Sequence, residues 1–379
     1  MLKTRKLEKL GIETKLLGFG CMRFPTLNGV NGEIDEARSE EMLDTAYKAG
    51  VNYFDTAYVY HDGKSEGFVG KVLNKYPRDS YYIATKLPVW NLTSQEDIRR
   101  VIDEQFARLD KEVIDFYLLH SMSKKSWDKA QELEALKIIE EYRSLGKIKY
   151  VGFSFHDSYP VFEEMINAYD WDFCQIQYNY MDTDTQATYK GYKLTEEKGI
   201  PLIIMEPIKG GSLAALPEEV SKPFRQMHPE WSDASWALRF VASHENVKVI
   251  LSGMSTLDQV KDNLNTFEEL DNLTEEEMKV VENVAAALKA RTKNGCTGCR
   301  YCMPCPAGVD IPGNFSAWNV YYKYNSQRAA SWTIRQIKAN EGFAEKCIKC
   351  GKCEQVCPQH LNIRKDLATL SEEMKELFK

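Results

Sequence analysis

The chain has 379 residues, 43% of them hydrophobic and 28% charged, the mixture of an ordinary globular protein. Its formal net charge of −7 lacks the basic excess that displaces counterions from phosphate, which argues against a nucleic-acid partner. No apolar run approaches the roughly 20 residues that span a bilayer, and the charged opening Met1-Leu-Lys-Thr-Arg-Lys leads into no apolar signal core, so the expectation is a cytoplasmic protein with no membrane partner.

Residues 4–15, with Gly11 at a turn, read as a hairpin. Eight short runs rich in Val, Ile, Phe and Tyr follow, at residues 16–20, 53–56, 81–87, 116–120, 150–154, 173–179, 201–207 and 247–253. Each is too short for a buried helix and reads as a strand. Helix-periodic stretches lie between them, such as residues 94–109 and 127–145, the second ending at Gly146. Alternating strands and helices imply a parallel sheet, and eight strands close a (β/α)8 TIM barrel. The hairpin would cover its floor. Chemistry in such a barrel sits at the C-terminal strand ends. Those ends read Gly20, Asp55, Lys86, His120, Ser154, Gln175, Glu206 and Gly253, with Tyr60 on the loop after the second run. Singly, Asp55 and Lys86 also fit a structural ion pair and His120 a satisfied core histidine. Trp90, Met122, Trp127 and Tyr180 are candidates for the mouth, with Tyr58 and His156 near the pocket and His61 an ordinary loop residue.

Eight of ten cysteines fall after residue 295 in two runs. The first is Cys296-Thr-Gly-Cys299-Arg-Tyr-Cys302-Met-Pro-Cys305-Pro306. The second, Cys347-Ile-Lys-Cys350-Gly-Lys-Cys353-Glu-Gln-Val-Cys357-Pro358, matches the bacterial ferredoxin spacing for 4Fe–4S clusters, whose fourth cysteine ligates the other cluster. The first run has two residues rather than three before its fourth cysteine. Crossed ligation gives one cluster Cys296, Cys299, Cys302 and Cys357, and the other Cys347, Cys350, Cys353 and Cys305. Structural zinc also uses C-x2-C pairs, but explains neither the third cysteine at the same spacing nor the proline after each fourth one. Cys21 and Cys174 stand alone and read as small buried hydrophobes. Helix-like patterns at residues 315–324 and 329–337 separate the runs, which resembles the α-helical type of two-cluster ferredoxin.

Tyr53-Phe-Asp55-Thr-Ala-Tyr-Val-Tyr60, Ala84-Thr-Lys86-Leu and Tyr117-Leu-Leu-His120-Ser resemble the signatures of the aldo-keto reductases. The opening Leu17-Gly-Phe-Gly20 and the stretch from Ser252 to Asn263 are similar to theirs as well. The whole chain resembles the branch of that family with a C-terminal ferredoxin-type extension. The resemblance implies a barrel over residues 1–285 and a small α-helical ferredoxin-like domain over residues 286–379. It implies a nicotinamide-dependent oxidoreductase interconverting a small-molecule carbonyl and an alcohol, in which Tyr60 is the acid, Lys86 lowers its pKa, Asp55 orients Lys86 and His120 orients the substrate. The cofactor set it implies is Gly20, Cys21, Ser154, Gln175, Met205, Pro207, Lys209, Gly210, Gly253, Ser255, Gln259 and Asn263. The family's asparagine after the serine is Phe155 here, and its stacking aromatic ring is Met205. Ser255 and Gln259 fit one branch's way of holding the nucleotide, leaving NADP(H) or NAD(H) open; a solvated helix face is the plain alternative for Gln259 and Asn263. Two 4Fe–4S clusters suggest one-electron exchange with a ferredoxin or flavodoxin. The alternative function is an iron–sulfur electron-transfer or scaffold protein on a barrel that no longer uses a dinucleotide.

Overall fold

Gly11 takes φ +67°, a left-handed conformation that costs glycine little, and closes the turn between β1 (Thr4–Leu7) and β2 (Ile12–Lys15). The two strands pair antiparallel, Leu7 opposite Ile12. The computed structural model describes residues 1–268 and 270–378. Contacts divide them into two compact units, residues 1–209 with 234–275, and residues 210–233 with 276–379.

In the first unit, eight parallel strands close a barrel: β3 (Leu17–Gly20), β4 (Tyr53–Asp55), β5 (Tyr82–Leu87), β6 (Ile114–Met122), β7 (Ile148–Phe155), β8 (Phe173–Gln177), β9 (Leu202–Met205) and β10 (Val247–Ser252), with β10 beside β3. Each lies on one of the eight apolar runs. Leu7 is buried with Tyr53, Ala84, Phe116, Phe173, Ile203 and Val249, so the hairpin plugs the barrel floor. The two-residue period of a strand then fixes what the other end presents. Asp55 is in register with Ala84, and Ala84 with Phe116. Tyr53 and Asp55, Ala84 and Lys86, and Phe116, Leu118 and His120 therefore share the inward face, apolar below and ionisable above.

The helix Gln95–Leu109 begins where expected, with the Ser94 hydroxyl accepting from the Asp97 amide. The stretch 127–145 is two helices rather than one, Lys124–Glu132 and Ala135–Ser144, because Glu134 takes φ +52° and breaks the ladder. No described helix is long and apolar enough to cross a membrane.

In the second unit, Ile311–Tyr324 and Gln327–Ala339 form a helical hairpin turned by Asn325 at φ +48°. Phe315, Trp318, Ile334 and Ile337 bury their side chains with Leu367 and Leu370 of the helix Ile363–Glu373. Arg291 bonds both the Tyr322 carbonyl, at 3.0 Å, and Glu219 of the helix Glu218–Met227.

Gly152 in β7 has no room for a side chain: a Cβ there would lie 2.7 Å from the Phe173 carbonyl oxygen and ring. Gly152→Ala is expected to destabilise the barrel by about 1–3 kcal/mol, read as a lower midpoint in denaturant unfolding.

Candidate active site and cysteine loops

Lys86 is fully buried, and an ammonium has three protons to place. It donates to Asp55 Oδ1 at 2.5 Å, to the Thr56 carbonyl at 2.7 Å and to the Tyr60 hydroxyl at 3.4 Å. Burial alone would lower its pKa; the charge and hydrogen bond of Asp55, with Tyr60, overturn that and hold the ammonium above the usual lysine range. Tyr60 rests on a loop in which His61 and Asp62 both take positive φ, and His61 Nδ1 lies 2.8 Å from the Asn31 carbonyl. That tether gives the buried His61 a structural role. The Tyr60 ring meets His120 edge-on, centroids 5.8 Å apart. Burial, Lys86 and His156 together push His120 well below the usual histidine range, so the imidazole is neutral at physiological pH. Its Nδ1 is buried with no partner among the described residues.

Two expectations change here. Lys86 was expected to bring the tyrosine pKa down. Burial instead pushes Tyr60 above the ordinary tyrosine range; Lys86 pulls against it, and Asp55 offsets part of that pull. Tyr58 does not turn to this group. Its hydroxyl donates to Glu104 at 2.7 Å, and Arg108 lies over its ring. Of the mouth candidates, Trp90 is exposed with its ring 5.0 Å from His120. Trp127 is core, packed toward Trp171, and Met122 and Tyr180 are buried.

The remaining strand ends are polar and partly unsatisfied. The Ser154 hydroxyl accepts from the Ser121 amide at 2.8 Å. Gln175 donates to Met205 Sδ at 3.5 Å, and its Oε1 is buried without a partner among the described residues. Glu206, just beyond β9 and before Pro207, takes φ +53°. Lys209 is held by both oxygens of Asp182 at 2.6 Å, so its ammonium is engaged rather than free for a pyrophosphate. Gly210, at φ +62°, falls in the second unit. Gly20 is a close neighbour of Ser252 and Gly253, and a Cβ on Gly253 would lie 2.8 Å from the Arg23 side chain. The Cys21 amide donates to the Asp55 carbonyl, and its thiol is buried. Ser255 donates its amide to Gln259 and its hydroxyl to the Arg23 carbonyl. Asn263 is buried and donates to Ser252 at 2.6 Å, unlike a solvated helix face.

In the second unit the cysteines line two cavities. Cys296, Cys299, Cys302 and Cys357 line one, with Ile311 and Phe315. Cys305, Cys347, Cys350 and Cys353 line the other, which Cys302 also touches. Each cavity thus draws on both runs. The residues flanking the second cysteine of each run are left-handed, Gly298 (φ +73°) and Arg300 (φ +64°) in one, Lys349 (φ +56°) and Gly351 (φ +78°) in the other. Left-handed residues in such loops turn successive amides inward and make the concavities that receive anions, iron–sulfur clusters among them. Among the described residues no three His, Cys, Asp or Glu side chains converge on a site for one metal ion.

The model of the aldo/keto reductase family matches residues 16–286. The chain belongs to the aldo/keto reductase family. A 4Fe-4S dicluster domain model matches residues 295–361, so this family member carries a ferredoxin-type extension. Among its relatives, L-galactose dehydrogenase of Arabidopsis thaliana is 24% identical over 77% of this chain and 97% of its own length. The NADH-specific methylglyoxal reductase of Escherichia coli is 24% identical over 75% and 96%. The holo form of an aldo-keto reductase from Bacillus halodurans superposes with a TM-score of 0.63 at 27% identity, covering 75% of this chain and 96% of that one.

Some residues of this reductase were not singled out from sequence. Asp182 collects Lys209, Gln177 and Asn179. Asn294 accepts from the Cys296 amide and donates to Asp366. Asn314, fully buried, donates to the Gly342 carbonyl at 2.7 Å and accepts from the Ala344 amide at 3.2 Å. The two asparagines tie the cysteine loops to the helices, and an asparagine amid a helical apolar pattern, as at 314, is the signal that could have found one. Asn314→Ala strands the Ala344 amide and is expected to cost about 1–3 kcal/mol, seen as faster hydrogen exchange from Ala344 to Cys347.

Proposed function

We propose that this reductase interconverts a small-molecule carbonyl and an alcohol using NADP(H) or NAD(H), and that its extension holds two 4Fe–4S clusters that exchange electrons one at a time with a ferredoxin or flavodoxin. One observation carries the catalytic half: buried Lys86 bonds Asp55 and Tyr60 at once, with the His120 ring edge-on to Tyr60.

Tyr60 is the acid. Its hydroxyl gives its proton to the carbonyl oxygen as negative charge develops there, and the Lys86 ammonium steadies the phenolate left behind. Asp55 is a positioning residue that keeps Lys86 charged and aimed. The uncharged His120 ring donates a hydrogen bond to the carbonyl oxygen and sets its direction. The unpartnered Gln175 Oε1 and the Ser154 hydroxyl suit a nicotinamide carboxamide, which needs an acceptor and a donor. A bound nicotinamide would supply or accept the hydride. Lys209 would hold a pyrophosphate only after leaving Asp182.

For the clusters, Cys296, Cys299, Cys302 and Cys357 would hold one and Cys305, Cys347, Cys350 and Cys353 the other, a grouping supported by the walls of the two cavities. Iron content of about eight per chain is expected in anaerobic protein, two four-iron cubanes. Cys305→Ser should reduce the second cluster's occupancy and leave the first; a variant with full iron and an unchanged spectrum would remove Cys305 from the set.

The raised Tyr60 pKa sets the pH dependence. Reduction uses the protonated tyrosine, so its kcat should stay level through neutral pH and fall only above about pH 10. Oxidation uses the phenolate and should climb without a plateau below about pH 10. Tyr60→Phe should lower kcat by about 10²–10⁴-fold; near-normal turnover in that variant would reject Tyr60 as the acid.

A further inference from the structure

The two cysteine cavities differ at their mouths. Among the residues lining the cavity of Cys305, Cys347, Cys350 and Cys353 are Tyr301, Ile348 and Val356. These are exposed at 70%, 66% and 51%. The other cavity has no exposed large apolar side chain on its wall among the described residues: Ile311, Phe315 and Ile363 are buried and Leu361 is half-buried. Charge differs too. Lys349, Lys352 and Arg364 line the Cys350 cavity, against Arg300 alone on the other, and neither lining has an acidic residue. Arg364 is neutralised by Glu354 at 2.7 Å. Lys349 and Lys352 have no ion pair among the described residues, within a chain whose net charge is −7. Cys350 stands between them and is itself exposed.

An exposed apolar patch with a charged rim marks a docking surface, and unpaired lysines around it select an acidic partner and speed its arrival. We propose that Tyr301, Ile348 and Val356, with Lys349 and Lys352, form the docking face for an acidic one-electron carrier protein, which exchanges electrons with the cluster of Cys305, Cys347, Cys350 and Cys353. The inference rests on the cluster reading above. In the transfer the carrier loses one electron and the cluster gains it, passing from the 2+ to the 1+ state; no bond forms or breaks.

The test uses the full cluster-loaded chain under anaerobic conditions, with fully reduced flavodoxin as the probe carrier and reduced methyl viologen as a small reductant that needs no docking face. Cluster bleaching is followed by stopped flow, and flavodoxin binding by calorimetry. The double variant Lys349→Glu/Lys352→Glu should slow bleaching by flavodoxin by about tenfold or more at low salt, weaken binding and flatten the salt dependence. Viologen should reduce it as fast as the parent. Ile348→Ser should weaken flavodoxin binding with the salt dependence kept. Lys48→Glu/Lys198→Glu, at exposed positions at the C-terminal ends of two barrel helices, should change nothing. Three results would overturn the docking face: a parent that viologen bleaches and flavodoxin does not, a double variant that reacts like the parent, or equal slowing with both reductants, which would give the lysines the lesser role of balancing cluster charge. Protein that viologen does not bleach would reject the cluster reading, and the docking face with it.

Discussion

The barrel is organised around a buried ammonium that must place three protons. Lys86 has no access to water, and an uncompensated charge in such a place is strongly destabilising. Its compensation comes from two neighbours in the sheet and one loop: Asp55 at the end of β4, the carbonyl that follows it, and the Tyr60 hydroxyl. The first two bonds satisfy the charge. The third is long, 3.4 Å, and reaches the hydroxyl proposed as the acid. Removing Asp55 would leave Lys86 buried without its counter-charge, at a cost of about 3–5 kcal/mol, so the proposed catalytic arrangement and the stability of the barrel top are one problem. Closure of the sheet makes it solvable, because register and pleat point Asp55, Lys86 and His120 inward together.

The second unit meets the same constraint with opposite sign. Thiolates around the proposed clusters would form a concentrated negative site, and left-handed residues in such loops make concavities that receive anions. Left-handed residues on both sides of the second cysteine in each run provide the turn. Glycine fills one of these positions in each run, and Arg300 and Lys349 fill the other two, accepting a conformation uncommon for residues with a Cβ. Buried asparagines then fix each loop to the helices, so ligand placement does not depend on the loops alone.

The fold was legible because its signals are local. Each strand is a short apolar run, and each ligand loop has cysteines at a fixed spacing. The polar groups ending apolar strands were legible for the same reason: Lys86 and His120 have no cheap place inside a barrel except its chemical end. Sequence spacing also favoured Tyr60 over Tyr58; in the structure the Tyr60 hydroxyl accepts from Lys86, while Glu104 and Arg108 hold Tyr58. What escaped depends on three dimensions. Glu134 breaks a helix in a left-handed conformation that no glycine or asparagine announces. The Lys209–Asp182 pair joins residues 27 apart that no motif links. The direction of the Tyr60 shift turns on burial outweighing a cation, and spacing alone contains no burial.

We infer that the barrel still uses a dinucleotide while the extension carries redox clusters. Titration of NADPH and of NADH into anaerobically purified, cluster-loaded protein, followed by nicotinamide fluorescence, tests it most directly. Saturable binding of at least one of them is predicted, weakened when Gln175 is replaced by leucine. No binding of either nucleotide to protein whose clusters remain reducible would contradict the claim and leave an iron–sulfur protein on a barrel that has given up hydride chemistry.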